Sequence, residues 1–222
     1  MENKPGDILN SLSPQVYTPA LPEGADTLTA EMVNLPEGFA DRVLIPEGVQ
    51  RIDGDCFQGE PITAVSFPKS LREIGMGAFL GCRLGELRVE GDGRKIIILA
   101  LAFAINPELT AITLGNCELE SRIFWKCPVS RVTLTGKCFS KYDIPLGFGG
   151  CRGAHKDKFF GTVRRYKGAL GTYALKGELA RTNYKSDGDF KGCAICNNPC
   201  YTLSGFEDDY GKTPVYEWEK VE

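Results

Sequence analysis

The sequence predicts a repeat solenoid of short β-strands and turns. Three observations predict it. An apolar triplet recurs every 20 to 25 residues, a phenylalanine recurs in phase with it, and 26 glycines spread through 222 residues call for frequent turns. At 42 % hydrophobic and 25 % charged residues the chain has the make-up of a soluble globular protein, with length enough for a large core. A net charge of −3 argues neither for a nucleic-acid binder nor for an acidic-tail protein as a whole.

The first element in chain order is an arm. Residues 1–20, MENKPGDILNSLSPQVYTPA, carry three prolines and no apolar run of signal-peptide length. They are expected to be flexible, and with no such run the expected setting is the cytoplasm. The longest apolar run, IIILALAFAI at 96–105, falls far short of the roughly 20 residues that a membrane helix needs. It reads as a buried stretch, and no membrane span is expected.

The coils are expected over residues 21–151. Ile62, Val65 and Phe67 are spaced as L-x-x-L-x-L, the strand signature of a leucine-rich repeat. Leu84, Leu87 and Val89 repeat it, then Leu109, Ile112 and Leu114, then Val129, Val132 and Leu134. Upstream, Ala40, Val43 and Ile45 fit with a weaker first member. Each unit also carries a phenylalanine five or six residues before the next triplet: Phe57, Phe79, Phe103 and Phe124. Five residues before each stands a large aliphatic: Ile52, Ile74, Ile98 and Leu119. Three residues after it, two units have cysteine, Cys82 and Cys127, and Phe148 and Cys151 repeat that spacing. One coil cannot bury its own apolar side, so it stacks on its neighbours, and only inward positions are fixed by packing. The predicted fold is therefore a solenoid of leucine-rich-repeat type: mainly short β-strands, with turns and short helical segments, plus a C-terminal cap.

The stretches VLIPEGVQRIDGDCF and VSFPKSLREIGMGAFLGC resemble the BspA-like leucine-rich repeats, whose units read approximately apolar-Ile-Pro-x-x-Val-x-x-Ile-Gly-x-x-Ala-Phe-x-x-Cys. The resemblance is close from Ser66 to Leu84, looser from Arg42 to Ile62, and degenerate from Leu87 to Cys151, where LALAFAIN keeps Ala102 and Phe103 but SRIFWKC has Ile123 before Phe124. It implies a right-handed, partly β-stranded solenoid that binds partners and carries no shared catalytic motif. It also implies a secreted or cell-surface setting, the alternative to the cytoplasm.

Period-two alternation leaves an outward ladder, one row per coil: Arg42 and Leu44; Ala64 and Ser66; Glu86 and Arg88; Ala111 and Thr113; Arg131 and Thr133. Small residues among charges make a shallow mixed surface, suited to a protein or peptide partner rather than a small molecule. This ladder is the candidate binding face. The other possibility is a merely solvated sheet.

Residues 152–222 are expected to be the cap or a small appended module. From 152 to 185 nine lysines and arginines stand against Asp157 and Glu178, interleaved with Phe159, Phe160, Tyr166, Tyr173 and Tyr184. Such a mixture suits single-stranded nucleic acid, or a cap with its aromatics inward and its cations in water. A solenoid needs a cap, and the second reading is preferred. The sharpest chemical signal is CAICNNPC, which sets Cys193, Cys196 and Cys200 at knuckle spacing for zinc. A fourth ligand would have to come from Cys138, Cys151 or His155. Unligated thiols, or a disulfide or redox pair, remain open, and the preferred reading assigns no cofactor. His155 is the one histidine, and no nucleophile elbow, phosphate loop or paired-histidine motif is present. Recognition of another protein without catalysis is the expected function. Metal or nucleic-acid binding by the C-terminal segment, scaffolded by the repeats, is the alternative.

Overall fold

The computed structural model describes residues 16–39, 41–140, 159–177, 179–182, 200–203 and 217–222. Each coil contributes two short strands. The first strands are β1 (Val16–Tyr17), β3 (Arg42–Leu44), β5 (Ala64–Ser66), β7 (Glu86–Val89), β9 (Ala111–Leu114) and β11 (Arg131–Leu134). The second strands are β2 (Thr27–Leu28), β4 (Arg51–Ile52), β6 (Glu73–Ile74), β8 (Ile96–Ile98), β10 (Cys117–Leu119) and β12 (Cys138–Ser140). Like pairs with like, always parallel, so the chain rises one coil per pairing. The second strands make one unbroken six-stranded sheet. Strand β1 lies within the stretch expected as an arm and pairs with β3. Residues 1–15 and Ala40 lie outside the described residues.

The inward columns follow the predicted spacing. Val43, Leu87, Ile112 and Val132 are buried, as are Ile45, Val89, Leu114 and Leu134, while Val65 and Phe67 are only partly covered. The four phenylalanines stand in one column: Phe57, Phe79, Phe103 and Phe124 are fully buried, with successive centroids 5.0, 5.3 and 6.0 Å apart and planes within 12° of parallel. Ile52, Ile74, Ile98 and Leu119 are the buried ends of β4, β6, β8 and β10. The aliphatic landmark in the sequence marks a second strand.

Among the described residues of these coils the phenylalanine segment holds turns. Its amides explain why. Asp55, Phe57 and Gly59 donate to Met76, Ala78 and Leu80 of the next coil, and Gly77, Phe79 and Gly81 to Ala100, Ala102 and Ala104. Amides committed to a neighbouring coil are not free to bond four residues back, so an α-helix cannot form. Close stacking needs small residues: a side-chain carbon on Gly75 would sit 2.5 Å from the Gly54 nitrogen. Among the described residues the helices are a 3-10 turn at Ala30–Met32 and α1 (Phe159–Arg165).

The first-strand ladder lapses once. Strands β1, β3 and β5 form one sheet, and β7, β9 and β11 belong to another. At the junction the coils are held by Arg83 N–H to Ile62 O (3.0 Å) and Gly85 N–H to Thr63 O (3.3 Å). Phe67 occupies here the position filled elsewhere by Ile45, Val89, Leu114 and Leu134. Its ring meets Phe79 and Phe103 edge-on at 5.7 and 6.3 Å. Phe67 directly follows β5, and β5 does not pair with β7.

Beyond β11 the parallel order ends. Strand β13 (Gly171–Leu175) pairs antiparallel with β11, and β16 (Trp218–Lys220) pairs antiparallel with β13. This closes an edge that would otherwise offer a row of unpaired backbone groups. Phe159 of α1 packs edge-on against Tyr173 and Trp218, centroids 5.7 and 5.3 Å away. Phe159, Tyr173 and Trp218 are buried, and Arg164, Arg165, Lys167 and Lys176 are exposed. A separate hairpin joins β14 (Leu179–Thr182) to β15 (Cys200–Leu203).

Candidate interaction face

Parallel register brings the ladder residues into two straight rows. Arg42 lies beside Ala64, and Glu86, Ala111 and Arg131 line up across β7, β9 and β11. Leu44 lies beside Ser66, and Arg88, Thr113 and Thr133 form the parallel row. Arg42, Leu44, Glu86, Arg88 and Arg131 are exposed, while Ala64, Ser66, Ala111, Thr113 and Thr133 are half-buried between them. The ten residues share one face, interrupted at the β5–β7 junction.

Their charges are not equivalent. Arg88 Nε donates to Glu90 Oε2, and Glu90 Oε1 accepts from Thr135 Oγ1 at 2.8 Å. The Arg88 hydrogen bond holds the Glu90 carboxyl below the usual carboxylate range. Arg88 is thus committed within its own coil. Arg42, Glu86 and Arg131 have no ion pair or side-chain hydrogen bond among the described residues.

The six-stranded face is different. There Arg51 pairs with Glu73 at 3.4 Å and with Asp53 at 3.0 Å, and Lys95 pairs with Glu118 at 2.6 Å. In an adjoining turn Asp92 receives Arg72 at 2.8 Å and Arg94 at 2.7 Å. Hydrogen bonds from the Arg94 side chain and backbone, with Arg72 beyond them, hold the Asp92 carboxyl far below its ordinary value. The cations named on that side have found acids of the same chain.

The hollows along the strand face are small. Two cavities of about 240 Å³ flank the β5–β7 gap, one against Phe67, Lys69 and Glu90, the other against Arg42, Glu86 and Ala111. Each is below the roughly 300 Å³ at which small-molecule pockets begin. A larger hollow of about 440 Å³ lies between β12 and α1, against Cys138, Phe139, Phe160 and Val163. Burial pushes the Cys138 thiol well up, so it is not poised as a nucleophile.

The cysteines of the coils are structural. Cys82 Sγ donates to Phe57 O at 3.2 Å and Cys127 Sγ to Phe103 O at 3.1 Å, one coil back in each case. Burial pushes Cys56, Cys82, Cys117 and Cys127 up to about 12. Sequence reasoning missed the residue that completes this series. Asn106 is fully buried, and its Nδ2 donates to Phe79 O at 3.0 Å. The signal was present, because Asn106 stands three residues after Phe103, the offset of Cys82 from Phe79 and of Cys127 from Phe124.

Residues 40–143 match, in six copies, the family model described as the BspA type leucine-rich repeat region. These coils are BspA-type leucine-rich repeats. The matched region starts just before β3 and takes in every strand from β3 to β12. No curated protein and no solved structure gives a significant match to the chain. Among the described residues no helix is long and apolar enough to cross a membrane, and no group of three or more His, Cys, Asp or Glu is placed to hold a metal. Cys193 and Cys196, with Cys151 and His155, lie outside the described residues, as does the side chain of Cys200.

Proposed function

We propose that this chain is a non-catalytic scaffold that recognises another protein through the outward face of β3, β5, β7, β9 and β11. BspA-type repeats supply the scaffold. One observation supports the choice of face: Arg42, Glu86 and Arg131 lack acids or bases of their own among the described residues, whereas Arg51, Lys95 and Arg72 on the far side have theirs. An exposed ion pair adds little to folding, about 0–1 kcal/mol, so a row of unmatched charges costs the fold little and leaves its field for a partner. The shallow relief and small hollows suit a protein surface better than a small ligand.

The test is a charge-reversal scan on the full chain. Arg42→Glu, Glu86→Lys and Arg131→Glu are compared with Arg51→Glu on the six-stranded face, using a partner identified by affinity capture and re-expressed. Each ladder reversal is expected to weaken binding about tenfold, near 1.4 kcal/mol, and Arg51→Glu to leave it unchanged. Equal binding by all three ladder variants would remove this face from the function.

A further inference from the structure

The outward row continues past the repeats. Arg131 lies beside Ala174 of β13, and Ala174 lies beside Glu219 of β16. Leaving aside Val16 of β1, which lies beside Arg42 and has no counterpart beyond Glu219 among the described residues, the row crosses the unpaired β5–β7 junction and reads Arg42, Ala64, Glu86, Ala111, Arg131, Ala174, Glu219. Charge alternates with alanine at every step, and the sign of the charge alternates as well. Seven positions have β9 at their centre, and about that centre the row is complementary to itself. Arg42 mirrors Glu219, Glu86 mirrors Arg131, and alanine mirrors alanine.

The neighbouring row follows this symmetry only in part. Ser66 on β5 mirrors Thr172 on β13, which is buried with its Oγ1 3.2 Å from Thr133 Oγ1. At the ends Leu44, 44 % exposed, mirrors Val221, 47 % exposed, which is tied to Thr172 through its amide at 2.8 Å. Arg88, already committed to Glu90, mirrors Thr133.

A surface with this pattern is complementary to its own copy turned by a two-fold axis. We propose that the occupant of the face is a second copy of this chain, docked face to face about an axis that runs along β9. An axis parallel to the strands reverses the order of the row while keeping each residue at its height along the strand. It therefore sets Glu86 against Arg131 of the second copy twice, near the axis, and Arg42 against Glu219 of the second copy twice, at the rim. Among the described residues, Glu219 alone of these has an ion-pair partner, Lys176, at 4.0 Å with both side chains about half exposed. The alanines leave hollows between the charges, so opposed side chains can interleave. Sheet twist splays the ends of two stacked sheets, which puts most of the interaction on the central Glu86–Arg131 pairs.

Seven strands at about 4.8 Å spacing and four residues of height give roughly 400 Å² per copy, or about 800 Å² in all. That is below the 1,200–2,000 Å² of a stable complex, so the dimer is a weak, transient one. This inference rests on the reading of the strand face as a recognition surface and names its partner.

The experiment is sedimentation analysis of the full chain from about 5 µM to 1 mM, in reducing buffer at low salt. The wild type is expected to pass from monomer to dimer. Arg131→Glu and Glu86→Arg each set like charges against each other at both central contacts and are expected to weaken the dimer at least tenfold. The double variant E86R/R131E restores opposite charge at both contacts and is expected to recover wild-type association within about threefold. Both positions are exposed, and far-ultraviolet circular dichroism checks that each variant is folded. A wild type that stays monomeric to 1 mM overturns the proposal, as does a double variant no better than the singles. Should the wild type be monomeric while the charge-reversal scan still abolishes binding of another protein, only the self-pairing fails. Should neither respond, both readings fail.

Discussion

Replacing Asn106 with alanine removes the most heavily bonded side chain in the core. Its Oδ1 accepts from Leu84 N–H at 3.1 Å, and its Nδ2 donates to Phe79 O at 3.0 Å, Phe103 O at 2.9 Å and Ala104 O at 3.3 Å. Phe103 O keeps a donor in Cys127 Sγ. Leu84 N–H and Phe79 O are left buried with nothing else to bond. Stranding a buried polar group costs about 1–3 kcal/mol, so the two together predict a loss of about 2–6 kcal/mol, a large share of a typical 5–15. Urea unfolding reads it directly: with a slope near 2–3 kcal/mol per molar, the midpoint falls by about 1–3 M. Asn106→Cys returns the donor that Cys82 and Cys127 supply in their own coils but gives Leu84 no acceptor, and is expected to recover about half the loss. If Asn106→Ala costs less than about 1 kcal/mol with an unchanged slope, the series linking Cys82, Asn106 and Cys127 is not what ties successive coils.

Gly75→Ala is expected to cost about 1–3 kcal/mol by the same measurement, because the new carbon meets Gly54 N at 2.5 Å, Asp53 C at 2.6 Å and Ile52 O at 2.8 Å, all backbone that cannot swing aside. The buried thiols predict an alkaline limit. Burial raises Cys56, Cys82, Cys117 and Cys127 from 9.0 to about 12 and Cys138 well up too, so the native chain keeps protons that the unfolded chain releases. Their contribution is complete below pH 9 and is lost as pH climbs toward 12, at up to about 7 kcal/mol per pH unit for five thiols. Cys82→Ala is expected to flatten that slope by about a fifth, measured as urea midpoint against pH, and an unchanged slope would refute the assignment.

The sequence disclosed those parts of the fold whose packing restricts the choice of residue. Phe57, Phe79, Phe103 and Phe124 were legible because a stacked column accepts little but a ring. Arg42, Glu86 and Arg131 were legible as outward residues because Val43, Leu87 and Val132 beside them are inward. The lapse between β5 and β7 was not legible, since Phe67 satisfies the apolar triplet as well as leucine does. The row's continuation through Ala174 and Glu219 was hidden for another reason. Strands β13 and β16 are antiparallel and belong to no repeat, so no spacing in the sequence ties them to Arg131. Asn106 was overlooked because a polar residue at a cysteine position breaks an apolar pattern while doing the same hydrogen-bonding work.

The later coils show how little of the wording matters once the stack exists. Two residues either side of each column phenylalanine the backbone is left-handed, at Asp55 and Gly59, Gly77 and Gly81, Leu101 and Ile105, Arg122 and Lys126, with φ from +54° to +76°. Glycine takes that conformation without strain, whereas isoleucine and leucine do not. The degenerate coils hold it because the amides of Leu101, Phe103 and Ile105 are claimed by Ser121, Ile123 and Trp125 of the next coil. A turn fixed by its neighbour tolerates the wrong residue at a cost in stability. The charged positions of the outward row stand under no such template: Arg42, Glu86 and Arg131 are exposed and take either sign equally well, while the alanines between them are half-buried. Packing therefore does not account for the alternation of sign from Arg42 to Glu219, and a facing surface of opposite order does.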